Sequence, residues 1–238
     1  MDENDFNRGD SMEKIGHREV VEFAGYLLNE ETLIMNYITM AIVILIAILA
    51  SRNLKEVPTG WQNAIEAIAA LWEEKIETMI GPTGRSLTHI FLTLFVYLVI
   101  ANWLGLFPAM ESPTNDLNTT LGLALTMSLL IHHGIGVMRN GVGYFKHFFE
   151  PFAPFVLIHL IEELARPASL AFRLFGNILA GEVLIIIILN LAPWWGNWAP
   201  HVVWVIFSLA VGVIQAYIFT TLSLVYIAPA AQEHEHHE

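Results

Sequence analysis

Long uncharged runs alternate along this chain with short stretches that collect its lysines, arginines, prolines and glycines. A helix that crosses a bilayer needs about 20 mostly apolar residues. Residues 32–51 carry no charge and predict a first span. Residues 86–110 predict a second, closing at Pro108, and 117–138 a third, after the turn-rich Glu111-Ser-Pro-Thr-Asn-Asp116. Asp116 is expected to cap the helix that follows it, with Thr119 and Thr120 nearby. The fourth run, 152–191, is unusually long and is interrupted by Glu162, Glu163, Arg166, Arg173 and Glu182. The fifth, 198–227, is again uncharged. Between these two, Ala192-Pro-Trp-Trp-Gly-Asn-Trp-Ala-Pro200 combines helix breakers with tryptophans suited to a membrane interface.

Trp61–Ile80 has a different pattern. Trp61, Ala64, Ile65, Ile68, Ala69, Trp72, Ile76 and Met79 recur at helical spacing, while Glu66, Glu73, Glu74 and Glu77 fall mainly on the other side. Such an amphipathic helix either lies in the membrane interface or packs against other helices, and the breaks at Pro58 and Gly81-Pro82 favour the interface. The pattern therefore predicts an all-α polytopic membrane protein. It has five transmembrane helices plus one amphipathic interfacial helix, the last two spans long and steeply tilted. Residues 1–31 form an acidic N-terminal segment, 32–228 the membrane domain, and 229–238 a His/Glu-rich tail.

Composition agrees. Of 238 residues, 55% are apolar and 14% charged, against about 25% charged in soluble domains. Acids outnumber bases 23 to 11, which gives no support to a nucleic-acid partner. With no cysteine there is neither a disulfide framework nor a thiolate metal site. Arg52, Lys55, Lys75, Arg85, Arg139 and Lys146 all fall in the connections after spans one and three, and none in those after spans two and four. The positive-inside rule then places the N-terminus outside and the C-terminus in the cytoplasm.

The fourth run carries the chemistry. A 40-residue helix would reach about 60 Å, twice the hydrocarbon thickness, so it must tilt or bend, with Pro167 the place for a kink. On a helical wheel centred on Arg173, Glu162, Arg166, Ser169 and Asn177 fall within about 40° of it. Glu163 lies to one side and Glu182 opposite. Glu162 and Arg166 can satisfy each other as an i,i+4 pair. Arg173 has no acid within four residues, so its partner must come from another helix or another chain. An intramembrane charge is too costly to be left without one. Glu182 poses the same problem.

Arg166-Pro-Ala-Ser-Leu-Ala-Phe-Arg-Leu-Phe-Gly-Asn-Ile-Leu-Ala-Gly-Glu182 resembles the signature of subunit a of the F-type ATP synthase. Ser112-Pro-Thr-Asn-Asp-Leu-Asn-Thr-Thr120 is similar to the loop entering that family's fourth helix and Ile214-Gln-Ala-Tyr-Ile-Phe-Thr-Thr-Leu-Ser-Leu-Val-Tyr226 to its last helix, and the likeness covers roughly 17–228. The resemblance implies a fixed, multi-pass subunit of a bacterial plasma membrane, assembled with a c-subunit ring, peripheral-stalk b subunits and the rest of the synthase. It implies no catalytic site and no cofactor of its own. Two offset half-channels would carry protons or sodium to and from the ring carboxylates. Arg173 matches the essential arginine of ion translocation. Asn177, Glu182 and Gln215 match outer half-channel positions, and Glu162 and Glu163 fall where a carboxylate marks the inner one. Where some members place a histidine, this chain has Ser208, either a channel-lining residue or a helix–helix hydrogen bond. The competing reading is a stand-alone secondary transporter or channel, against which stand the missing repeat and the small number of spans.

Other signals carry less. Adjacent His132-His133 cannot converge on one metal from a helix, and the tail Glu233-His-Glu-His-His-Glu238 reads as solvated. Gly134-Ile-Gly136 and Gly141-Val-Gly143 lack the setting of a phosphate loop.

Overall fold

The computed structural model describes residues 20–23, 26–52, 59–107, 110–128, 133–140, 155–191 and 198–232. The first 19 residues, His132, the Gly141-Val-Gly143 stretch and the tail beyond Gln232 lie outside them. The chain opens on an antiparallel hairpin, β1 (Val20–Phe23) and β2 (Tyr26–Asn29), with Val20 opposite Asn29. The hairpin lies in the N-terminal segment, ahead of the membrane domain. After it, the described residues are helical or connecting chain, in line with the all-α expectation: α1 (Glu30–Ser51), α2 (Trp61–Ile80), α3 (Thr88–Leu104), α4 (Leu117–Leu125), α5 (His133–Asn140), α6 (Phe155–Leu191) and α7 (Trp198–Gln232). Short 3-10 turns at Pro82–Leu87 and Pro113–Asn115 lead into α3 and α4.

Four helical segments among the described residues are long and apolar enough to cross a membrane. They correspond to the first, second, fourth and fifth runs of the sequence. The third is interrupted, because α4 ends at Leu125 and a π-type turn follows over 126–128. There the Thr126 hydroxyl donates to the Gly122 carbonyl at 2.7 Å, the side-chain back-bond that bends helices. Helix α6 continues through Pro167 for 37 residues, and α7 runs for 35.

Helix α2 packs against the bundle. Trp72 and Ile76 are fully buried with Phe91, Leu98, Leu174, Phe219 and Leu224. The Trp72 ring lies 5.6 Å from Phe95 and 5.8 Å from Tyr217. Lys75 donates to the Tyr217 hydroxyl and, at 3.3 Å, to Thr221, fastening α2 to α7. Gly60 and Gly81 bound α2 at φ of 63° and 95°, where a side chain would be strained. Ile34, Tyr37, Ile44, Leu45 and Ile48 of α1 stay exposed, which suits a lipid-facing helix.

Candidate ion-translocation site

Helix α6 divides the site in two. Pro167, Leu170, Ala171 and Leu174 form its buried flank, which holds it against the bundle. Arg173 is on the other flank and exposed. Among the described residues no carboxylate pairs with it. Its exposed neighbours on that flank, Ser169, Gly176 and Ala180, are small, so another helix could approach closely.

Arg166 behaves differently. Its guanidinium lies 3.7 Å from Glu162 and 3.4 Å from Glu163, and 5.7 Å over the Tyr226 ring of α7. The i,i+4 pairing expected from the sequence is therefore present, with Glu163 added to it. The Glu162 side chain is 57% exposed and that of Glu163 12%.

On the far side, Asn177, Glu182 and Ser208 line a single cavity of about 180 Å³ between α6 and α7. Asn102, Ser112 and Trp204 also face it. A second, more open cavity of about 550 Å³ is bounded by Glu31, Met35, Met110 and Glu111, and shares Gly105, Glu182 and Ile185 with the first. Glu182 thus stands in the wall between the two. Its carboxylate accepts a hydrogen bond from Asn115 Nδ2 in the turn before α4. Gln215 is not among the lining residues. It is buried seven residues beyond Ser208, and its Nε2 has no partner.

The wall is built from loop polar groups that find helix partners. Ser112 donates to the Ala101 carbonyl at 2.9 Å, Thr114 to Asn102 Oδ1 at 2.8 Å, and Asn102 Nδ2 to the Gly212 carbonyl at 3.0 Å. Asp116 is the expected cap, accepting the Asn118 N–H at 2.8 Å, and it also accepts from Thr32 of α1 at 3.2 Å. Close approach is needed here, since a Cβ at Gly105 would meet the Ser112 Cβ at 2.6 Å. Sequence reasoning missed Asn102, Asn115 and Trp204. The first could have been found as the one amide in an otherwise hydrophobic second run.

Comparison with known proteins places the chain in a family. The family described as ATP synthase A chain matches residues 33–228. The chain is 45% identical over 223 residues to ATP synthase subunit a of Desulforamulus reducens, covering 90% of this chain and 84% of the relative. It is 34% identical over 222 residues to ATP synthase subunit a of Acidothermus cellulolyticus, covering 90% and 81%. It is 36% identical over 211 residues to that of Solidesulfovibrio magneticus, covering 87% and 86%. The chain belongs to the ATP synthase A chain family and is an ion-translocating membrane subunit of that complex.

Proposed function

We propose that this chain is the static half of a rotary ion pathway, with Arg173 facing the carboxylates of a c-subunit ring as they pass. The observation that carries this reading is an exposed arginine without an acid partner among the described residues, on the same helix whose other polar groups gather in a cavity. Ions enter from outside through the space beside Glu31 and Glu111, pass Glu182, and reach the ring by way of Asn177, Ser208 and Gln215. They leave on the cytoplasmic side near Glu162 and Glu163. The N-terminus is outside and the C-terminus inside, as the loop lysines and arginines require. Helix α2 sits at the cytoplasmic interface, and the interrupted third run completes five spans. Peripheral-stalk b subunits hold the chain against rotation.

The guanidinium suits its role because it stays charged when desolvated. Two unit charges at 4 Å attract by about 4 kcal/mol at an effective dielectric of 20. That favours an ionised ring site beside Arg173 and bars a protonated one from slipping past. One charge moved through 100 mV supplies about 2.3 kcal/mol, so several sites acting in sequence can draw a carboxylate onward.

Cross-linking tests the geometry. The chain has no native cysteine. Ser169→Cys and Gly176→Cys should each form a disulfide with a cysteine placed beside the ring carboxylate, and Ala171→Cys on the buried flank should not. Cross-linking from position 171 alone would place the ring on the wrong side of α6 and reject the reading.

A further inference from the structure

The cavity between α6 and α7 contains a donor that the ion pathway above does not use. Trp204 lines it, and the indole Nε1 is buried without a hydrogen-bond partner. A buried N–H without an acceptor keeps its full desolvation cost, so this group needs something to bind. Two other tryptophans show the contrast. Trp103 Nε1 donates to the Leu209 carbonyl at 3.1 Å. Trp72 also lacks an acceptor, but it is packed among Phe91, Phe95 and Tyr217 and lines none of the cavities described. Trp204 alone of the three faces a polar-lined space, shared with Ser208, Asn177 and Glu182. That space has room for about six waters at roughly 30 Å³ each.

Trp204 and Ser208 are four residues apart on α7, hence on one face, with Gln215 on the same face two turns further in. We propose that Trp204 is a positioning residue that anchors the water carrying ions, as protons, past Ser208. This inference rests on the outer half-channel reading given above. The indole N–H occupies one lone pair of the water. The second lone pair accepts the proton released by Glu182, and one of the water's own hydrogens moves on toward Ser208 and the waters beyond. Each transfer breaks one O–H bond and forms another. The indole is a donor only and keeps its proton throughout. In a chain with serine where some relatives carry an imidazole, a fixed donor supplies the orientation that a titrating side chain would otherwise give.

The test uses the intact synthase in vesicles, with ring copurification as the assembly check. Trp204→Phe keeps a large ring and removes the donor. ATP-driven proton pumping should fall about three- to tenfold, the range of one neutral hydrogen bond, and the solvent deuterium isotope effect should rise. Trp204→His restores an N–H and should recover most of the lost rate. An unchanged rate and isotope effect in Trp204→Phe, or equal losses in both variants, would overturn the proposal. Should neither variant assemble, Ser208→Ala removes the water's other contact. It must then raise the isotope effect, and an unchanged value would reject the anchored water. Glu182→Gln separates the two readings. Loss of pumping there with normal Trp204→Phe sinks only the role of Trp204, whereas normal pumping in Glu182→Gln sinks the half-channel itself.

Discussion

The two sides of α6 treat polar groups in opposite ways. Around the cavities that Glu182 lines, Thr32, Asn102, Ser112, Thr114 and Asn115 reach across to other helices or loops, and Glu182 is held from a turn 67 residues away. Asn36 of α1 joins them, donating to Thr119 at 3.4 Å and accepting from Tyr97. On the exposed flank, Arg173 forms no ion pair among the described residues. Polar groups with internal partners hold the bundle together. The arginine, by contrast, is left exposed on the flank that the proposed function turns toward a ring carboxylate.

The sharpest way to break this contrast is Arg173→Lys. Lysine retains a charge but loses the planar fork and neutralises more easily on burial. Coupled synthesis should fall by at least about a hundredfold, the scale of a misplaced reacting group, while the ring still copurifies. Glu182→Gln comes next. Because Gln can still accept from Asn115, assembly should be normal. Synthesis should slow by about tenfold or more for want of a titrating group, which rate assays in vesicles would detect. Near-normal synthesis would assign Glu182 to the structural network instead.

Asn102→Leu probes the fold side of the comparison. It removes the donor to the Gly212 carbonyl and leaves the Thr114 hydroxyl only Ser112, costing about 1–2 kcal/mol in a membrane setting. The detergent-solubilised complex should melt earlier, with pumping per assembled complex nearly unchanged. The smallest effect belongs to topology reporters. Glu111→Cys, exposed beside the second cavity, should react with an impermeant thiol reagent from outside, and Thr78→Cys on the exposed face of α2 only after permeabilisation. The reverse pattern would invert the orientation.

Helices whose uncharged runs exceed a membrane thickness were legible in the sequence, because burial of backbone in lipid demands them. The third run was legible as an apolar stretch, but hydropathy is blind to a backbone change such as the turn after Leu125, and its residues 129–132 lie outside the described ones. Periodicity identified the apolar face of α2 but not what covers it, and the covering proves to be Phe91, Phe95 and Tyr217 rather than lipid alone. Wheel geometry brought Asn177 into the stripe around Arg173, and the fold confirms only that Asn177, Glu182 and Ser208 share a space. Asn115 could not be foreseen as the partner of Glu182. Nothing local ties a turn before α4 to the far half of α6.

The central claim is that Arg173 couples ion flow to movement of a neighbouring carboxylate, and it is tested most directly by Arg173→Ala in the assembled complex. ATP-driven pumping and passive ion flux would be measured in the same vesicles, with ring copurification confirming assembly. The account predicts that pumping and synthesis vanish while passive flux rises, because protonated ring sites can then cross between half-channels. Sustained ATP-driven pumping in the assembled Arg173→Ala complex would contradict it.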